Sequence, residues 1–262
     1  RTICSTGSPL SVDSFKYVYD KIKKNVHLSS ISGGTDIVSC FVLGNLYQPV
    51  YLGEIQNKGL ALDVKVYSER GKSLKNSKGE LVCVNPFPSI PLKFWKDKND
   101  VKFREAYFNK YKNIWHHGDF AEIKNTGGFI IYGRSDTTLN PGGVRLGTAE
   151  IYSEVEKFDE IREAIVVGQS WDNDIRIILF IIMNKNSVIN DSLIKKIKLQ
   201  IRKNASPRHV PSKIIVVKDI PRTKSGKIVE LAVKNTIEGN EIKNMEALVN
   251  PEVLKEYKNI KE

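Results

Sequence analysis

Several residue types are scarce in this chain, and each scarcity narrows what it can be. Among 262 residues there are 3 cysteines, 4 histidines and 2 methionines. Cys4, Cys40 and Cys83 stand far apart, each within or beside a strand-like segment, and such spacing makes neither a disulfide framework nor a zinc site. They are expected to be small core or near-core side chains in a reducing compartment. His116 and His117 are adjacent, lacking the i, i+4 spacing and the cysteine partners of a metal site, and are read as structural. Long apolar runs are missing too. The longest, Ile177–Met183, is 7 residues, against the roughly 20 that a membrane-spanning helix needs. Arginine is sparse, at 10 against 31 lysines, although the net charge is +11. Recognition of phosphates and base edges leans on the bidentate arginine fork. Scattered lysines without a block of like charge therefore imply a solvated basic surface, no nucleic-acid partner and no membrane partner; a basic binding module is the remote alternative. The first residues have neither the charged and apolar regions of a secretory signal nor an amphipathic arginine-rich character, which points to a cytoplasmic protein. The missing initiator methionine, with a strand-like start, leads us to expect that the chain opens inside a fold.

What is present is ordinary globular material. Hydrophobic residues make up 40% and charged residues 27% of the chain, close to the usual usage of folded domains. Phe15, Val18, Tyr19 and Ile22 recur at helical spacing after Ser11, predicting a capped amphipathic helix over residues 11–24. From Val26 to Val84, β-prone runs at residues 26–31, 37–43, 49–56, 60–67 and 79–84 alternate with Gly, Asn and Pro. A helix over 101–111 and a hairpin over 115–132 follow. Beyond Gly133 the pattern becomes a Gly-rich loop, helices at 148–158, 191–204 and 228–237, and strands at 164–168, 175–183 and 213–217. From Glu238 the chain is polar and is expected to lie over the surface.

Four segments could carry chemistry. Pro221-Arg222-Thr223-Lys224-Ser225-Gly226-Lys227-Ile228 puts three cations around a turn-forming glycine before a helix, a mobile point for engaging anionic oxygens. It does not fit the P-loop pattern, and a solvated loop remains an alternative. Residues 132–150 join the two textures; Arg134 and Arg145 flank the pair Gly142-Gly143, and Asp136 could hold a boundary geometry by local hydrogen bonds. An interdomain linker is an equally good reading. Residues 30–36 offer hydroxyls, backbone N–H groups and the carboxylate of Asp36, suited to a nucleotide and Mg²⁺. His116-His117-Gly118-Asp119-Phe120 offers one strand carboxylate able to accept two hydrogen bonds from a vicinal diol.

The order and spacing of these segments carry a resemblance. Ser-Thr-Gly-Ser-Pro-Leu at 5–10, Gly-Gly-Thr-Asp at 33–36, Gly-Asp at 118–119, Gly-Arg-Ser-Asp at 133–136, Gly-Gly-Val-Arg-Leu-Gly at 142–147 and Arg-Thr-Lys-Ser-Gly-Lys at 222–227 together resemble the C-terminal part of the adenylate-forming acyl-CoA ligases. Within them, Leu-Asn-Pro-Gly-Gly-Val-Arg-Leu-Gly-Thr-Ala-Glu-Ile-Tyr at 139–152, Pro-Arg-His-Val-Pro-Ser-Lys at 207–213 and Lys-Asn-Met-Glu-Ala-Leu-Val-Asn-Pro-Glu at 243–252 are similar to the branch whose acid is acetoacetate. A ligase for acetate or another short acid is the alternative.

The resemblance implies an α/β plus α+β architecture. Residues 1–135 would close a large AMP-binding domain, with a β-rich subdomain from about residue 37; 136–237 would be a small mobile C-terminal domain and 238–262 a surface tail. It implies ATP, CoA and acetoacetate as substrates and Mg²⁺ as cofactor. Gly7, Ser8 and Pro9 would lie against adenine, Ser30, Ile31, Ser32, Gly33, Gly34 and Thr35 would line the nucleotide pocket, and Asp119 would bind the ribose. Arg134 and Arg145 would meet the nucleotide, Gly142, Gly143 and Arg202 would contact CoA, and Asp136 would be the hinge. Lys227 would sit between the acyl carboxylate and the α-phosphate as the catalytic cation. Asp36 stands where many relatives carry Glu, so its metal role keeps the charge with a shorter reach. The family's Ser/Thr/Gly-rich phosphate loop and its acyl-binding N-terminal portion do not occur in these residues. The chain is therefore expected to need that missing part of the same enzyme and to be inactive, or nearly so, alone.

Overall fold

The computed structural model describes residues 1–242, 244–258 and 260, and the chain divides into two compact units, Arg1–Ser135 and Asp136–Glu262. The first unit opens with β1 (Thr2–Ser5), α1 (Val12–Tyr17) and β2 (His27–Ser30). Ser11 caps α1 by accepting from the Ser14 N–H at 3.2 Å, and the helix runs on through a π turn over Val18–Ile22. Its buried Phe15 packs with Val18 and Leu28. β1 and β2 pair in parallel, Ser5 opposite Ser30.

The sequence then turns to antiparallel sheets. β3 (Ser32–Gly34), β4 (Ser39–Leu43) and β5 (Asn57–Lys58) form one small sheet. β6 (Val64–Tyr67), β7 (Ser73–Leu74) and β8 (Gly79–Cys83) precede α2 (Val101–Tyr107), and the hairpin β9 (Trp115–Ile123) and β10 (Phe129–Arg134) completes a five-stranded sheet in the order β10-β9-β8-β6-β7. Its core gathers Phe41, Leu81, Phe87, Trp115 and Phe129. The strand expected over residues 49–56 does not form. Gln56, 5% exposed, satisfies that segment from its side chain instead. Its Nε2 donates to the Asn45 and Gln48 carbonyls at 2.9 and 2.7 Å, while its Oε1 accepts from the Asn45 N–H at 2.9 Å and meets His27 Nε2 at 2.7 Å. Cys83 is buried and Cys40 partly so, but Cys4 is exposed, because along β1 it alternates with Ile3, the residue that packs against Phe15, Val18 and Leu28.

The second unit is built on one strand. After α3 (Thr148–Val155), β11 (Ile161–Trp171) and β12 (Asp174–Met183) make a long hairpin, its turn held by Asp172 and Asn173 at positive φ. α4 (Asp191–Asn204) follows, capped by Asn190 accepting from Leu193 N–H at 2.9 Å, and β13 (Lys213–Val216) adds in parallel to β12. α5 (Glu230–Glu238) ends on Gly239 in the left-handed region. The apolar run of β12 is covered on both faces. Ile177, Leu179 and Ile181 pack with α3 and α4 residues Ile151, Leu193, Ile197 and Ile201. Ile178, Phe180 and Ile182 pack with Ala232 and Val233 of α5 and with Leu248, Leu254 and Tyr257. Such two-sided burial is why the strand reads as continuous rather than alternating hydrophobicity.

The tail after Glu238 thus does more than lie over the surface. Its 3₁₀ segment Pro251–Tyr257 delivers Tyr257, 0% exposed, edge-on to Phe180 at 4.8 Å between ring centroids, and the phenol donates to the Asp219 carbonyl at 2.8 Å. Three buried side chains in a polar stretch, Leu248, Leu254 and Tyr257, suffice once a sheet face lacks cover. Tyr257→Ala is expected to cost about 3–5 kcal/mol through the cavity and the orphaned carbonyl, lowering the urea midpoint of the second unit. Tyr47→Ala, at a side chain 97% exposed, should leave the midpoint within about 0.5 kcal/mol of the parent.

Candidate functional site

In the first unit, the parallel pair β1–β2 brings two loops to the same strand ends. Chains leaving the carboxyl ends of parallel strands border the crevice where ligands of α/β sheets bind. Gly7, Ser8 and Pro9 leave β1 as an exposed loop, with Gly7 at φ +98°. Ser30 ends β2, and the Ile31 N–H donates to the Ser5 carbonyl at 2.9 Å, binding the two exits together. Gly33 and Gly34 continue as β3. At Gly33 a Cβ would lie 2.3 Å from the Ser39 carbonyl oxygen, so a side chain would break the pairing with β4.

The centre of this unit's site is Asp119, 6% exposed on β9. Its Oδ2 accepts from the Ser32 hydroxyl at 3.0 Å and its Oδ1 from Arg134 Nη1 at 3.2 Å; the same Nη1 also donates to the His117 carbonyl at 2.9 Å. The Arg134 side chain stays half exposed. Gly118 makes this possible: it sits at φ +83°, and a Cβ there would lie 2.6 Å from Arg134 Nη2. Asp36 is exposed next to these groups in sequence and structure. Its Oδ2 accepts from the Tyr107 hydroxyl at 2.6 Å, and its Oδ1 from the Ile37 N–H at 3.1 Å. Tyr107 in turn stacks on Trp115 at 3.7 Å, and burial, followed by Asp36, pushes its phenol well above the usual range. Among the described residues no group of three His, Cys, Asp or Glu could hold a metal. Asp36 therefore fits only the mode in which Mg²⁺ takes one carboxylate together with substrate phosphates and waters.

His117 and His116 behave differently from one another. His116 Nε2 lies 2.9 Å from Glu80 Oε2, and Lys110 Nζ donates to Glu80 Oε1 at 2.6 Å. His117 packs edge-on against Phe41 at 4.6 Å, and burial pushes its pKa below the ordinary value despite the neighbouring Asp119 charge.

In the second unit, Asp136 is exposed within the 3₁₀ turn Ser135–Thr137. The Gly142-Gly143 turn, at φ +59° and +72°, is pinned from β12: both carboxylate oxygens of Asp174 accept from the Gly142 N–H, at 2.8 and 3.0 Å. Leu139 and Leu146 close the loop as a two-way backbone bridge, and Arg145 Nε donates to the Thr138 hydroxyl at 3.1 Å. An open cavity beside the turn is lined by Asn140, Gly143, Trp171 and Asp174, and the Arg176 guanidinium lies 3.5 Å over the Trp171 ring. Arg202 is exposed on α4. Lys227 is exposed on a tight loop in which Thr223 N–H donates to the Lys227 carbonyl at 2.9 Å and Lys227 N–H to the Thr223 hydroxyl at 3.1 Å. No hydrogen bond or ion pair among the described residues joins Arg202 or Lys227 to residues 142–147. Sequence reading passed over Tyr107, Trp171 and Asp174 as site residues and read His117 as structural. Asp174 and Tyr107 act on Gly142 and Asp36, 32 and 71 residues away, and left no local signal.

Comparison with known proteins bears on the fold and the family. Residues 150–227 match the family described as the AMP-binding enzyme C-terminal domain. The solved structure of acetoacetyl-CoA synthetase from Streptomyces lividans superposes with a TM-score of 0.90 at 37% identity, covering 98% of this chain and 40% of that one. The chain thus has the mixed α/β architecture of the C-terminal part of the adenylate-forming enzymes. Within that class its relatives are acetoacetyl-CoA synthetases: that of Rhizobium meliloti (strain 1021) is 56% identical over 262 residues, all of this chain and 40% of the relative. That of Gallus gallus is 49% identical over 263 residues, again all of this chain and 39% of the relative. The chain therefore spans about 40% of the length of the curated relatives it matches.

The His117 environment has a pH consequence. A histidine whose folded pKa lies below its unfolded value supports stability above the unfolded value of 6.5 and withdraws that support as pH falls through the folded one. The chain is expected to lose stability as the pH falls below 6.5 toward the folded value, with no further loss from this group beyond it. In urea melts stepped from neutral into acid pH, His117→Gln should flatten this loss; an unchanged slope would refute it.

Proposed function

We propose that this chain is the C-terminal portion of an acid:thiol ligase. The complete enzyme would activate acetoacetate with ATP, releasing pyrophosphate and forming acetoacetyl-AMP, then pass the acyl group to CoA, giving acetoacetyl-CoA and AMP. The observation that carries this reading is the 56% identity to an acetoacetyl-CoA synthetase in a match that spans the whole chain, not residues 150–227 alone.

The residues fit the chemistry. Asp119, a nearly buried carboxylate held by Ser32 and Arg134, is a fixed acceptor for the two ribose hydroxyls. Arg134, half exposed beside it, reaches toward the nucleotide, and Gly7–Pro9 and Ser30–Thr35 border the adenine and the phosphates from the exits of β1 and β2. Lys227 brings a compact cation to the carboxylate oxygen attacking the α-phosphate, where negative charge accumulates in the transition state. Arg145 meets a phosphate, Gly142 and Gly143 flank the path of the CoA thiol with almost no side-chain bulk, and Arg202 adds a cation for CoA. Asp136 is the pivot about which the second unit turns between the two half-reactions. Mg²⁺ held by Asp36 and the phosphates would offset charge on the departing pyrophosphate. The acid-binding residues and the phosphate loop would come from the rest of the same protein, in the cytoplasm, and no nucleic acid or membrane takes part.

Pyrophosphate exchange tests the division of labour. The 262-residue chain alone should give no acetoacetate-dependent exchange, and robust exchange would reject the view that the remaining portion is needed. In a complete ligase ending in this chain, acetoacetate should be preferred over acetate; the opposite preference would reject the assigned acid. Lys227→Ala in that ligase should abolish adenylation, a loss of about 10²-fold or more in keeping with removal of one transition-state contact, while supplied acetoacetyl-AMP still reacts with CoA. Equal loss of both steps would contradict the role given to Lys227.

A further inference from the structure

The loop that carries Lys227 leans on the tail of the chain. Its entry has a neighbour on either side: Arg222 bridges to Ile228 on the loop's own return, and Thr223 bridges to Leu248 of the tail. Three hydrogen bonds join loop and tail. Lys224 N–H donates to the Ala247 carbonyl at 3.2 Å, Val249 N–H to the Arg222 carbonyl at 2.9 Å, and Arg222 N–H to Asn250 Oδ1 at 3.0 Å. The other end of that amide turns back along the chain, where Asn250 Nδ2 donates to Asp219 Oδ2 at 2.7 Å and to the Ile220 carbonyl at 3.0 Å. The tail is itself fixed, since Leu248, Leu254 and Tyr257 are buried with Ile178, Phe180 and Ile182 of β12, and the Tyr257 phenol holds the Asp219 carbonyl. The Arg222 guanidinium also pairs with Glu163 of β11, securing the loop at its entry. Among the described residues, the one hydrogen bond that leaves residues 223–227 for another part of the chain, from Lys224, goes to the tail. The family match ends at residue 227, so this support comes from outside the matched segment.

We propose that Asn250 is a positioning residue for Lys227: with the backbone of residues 247–249 it forms the outer strand of a small ribbon that sets the path on which the loop presents the lysine. Lys227 is a point charge on a flexible four-carbon stem, so its placement depends on the backbone beneath it. A misplacement of about 1 Å is enough to slow a reaction severely. The Arg222–Glu163 pair fixes the end of a long side chain and leaves the loop backbone free to swivel. A backbone ladder on the tail fixes its direction. An amide suits the corner of that ladder because it accepts and donates at once, which lets one side chain meet the Arg222 N–H and the acceptors of Asp219 and Ile220 together. The ribbon is a property of the second unit by itself; its meaning for catalysis rests on the ligase reading above.

Amide hydrogen exchange on the 262-residue chain tests the ribbon without any assay of activity. Asn250→Ala should speed exchange about tenfold at the Thr223 and Val249 amides, which Asn250 does not touch, the scale expected when hydrogen-bonded groups lose their partners. Exchange in β11 and β12 should hold its rate. Asn250→Asp should do the same as Asn250→Ala, because it sets a second carboxylate against Asp219. Adding Asp219→Asn returns a donor between the two side chains and should restore most of the protection. Faster exchange spread evenly over the whole unit, unchanged exchange at Thr223, or no rescue by the exchanged pair would overturn the proposal. In a complete ligase, Asn250→Ala should lower kcat of adenylation about tenfold with KM for ATP unchanged, the signature of misplacement rather than lost binding. Supplied acetoacetyl-AMP should still react with CoA at the parent rate, and equal loss of both steps would assign Asn250 to general stability instead. A parent enzyme inert toward acetoacetate would reject the ligase reading and leave the exchange result to decide the ribbon.

Discussion

The two-sided burial of β12 is the constraint on which the second unit depends. A strand with apolar side chains on both faces cannot stand at a surface, so each face demands its own cover. α3 and α4 supply one layer, and α5 with the 3₁₀ tail supplies the other. The same strand begins at Asp174, whose carboxylate pins Gly142, and lies alongside β11, whose Val166 N–H engages Tyr152. The groups assigned to chemistry are thus carried on loops whose geometry is fixed by a rigid sheet at their base, the usual division between scaffold and site.

The first unit uses a different device. Its candidate site residues come from two kinds of sheet: a parallel pair whose exits lie side by side, and an antiparallel strand, β9, that presents Asp119 near them. Charge and hydrogen bonding, rather than apolar packing, join the two. Ser32 and Arg134 approach Asp119 from opposite oxygens, and Gly118 removes the one Cβ that would keep the guanidinium away.

What sequence could reveal depended on how far each interaction reaches. Helix α4 was legible because its cap, Asn190, and its buried Leu193, Ile197 and Ile201 are all local, and the hairpin β9–β10 because its turn residues sit between two β-prone runs. The loop organised by Gln56 was not, since a side-chain amide that hydrogen-bonds backbone 8 and 11 residues away leaves no periodic trace. Tyr257 was hidden for a related reason: an isolated aromatic among Lys, Glu and Asn gains its value only from an open sheet face far away. Among the candidate site residues, glycine-rich spacings drew the eye to 33–36, 118–119, 142–147 and 222–227. The partners that hold them, Tyr107 for Asp36 and Asp174 for Gly142, lie 71 and 32 residues away and gave no local signal.

The hydrogen bond between Ser32 and Asp119 closes a separation of 87 residues. Contacts that distant must await the closing of a large loop, and they form late compared with helices and hairpins. The site around Asp119 therefore exists only once the first unit has closed that loop. A molecule that occupies it binds only the folded form, so occupancy and folding are thermodynamically linked, and saturation would raise the melting temperature even where no chemistry follows.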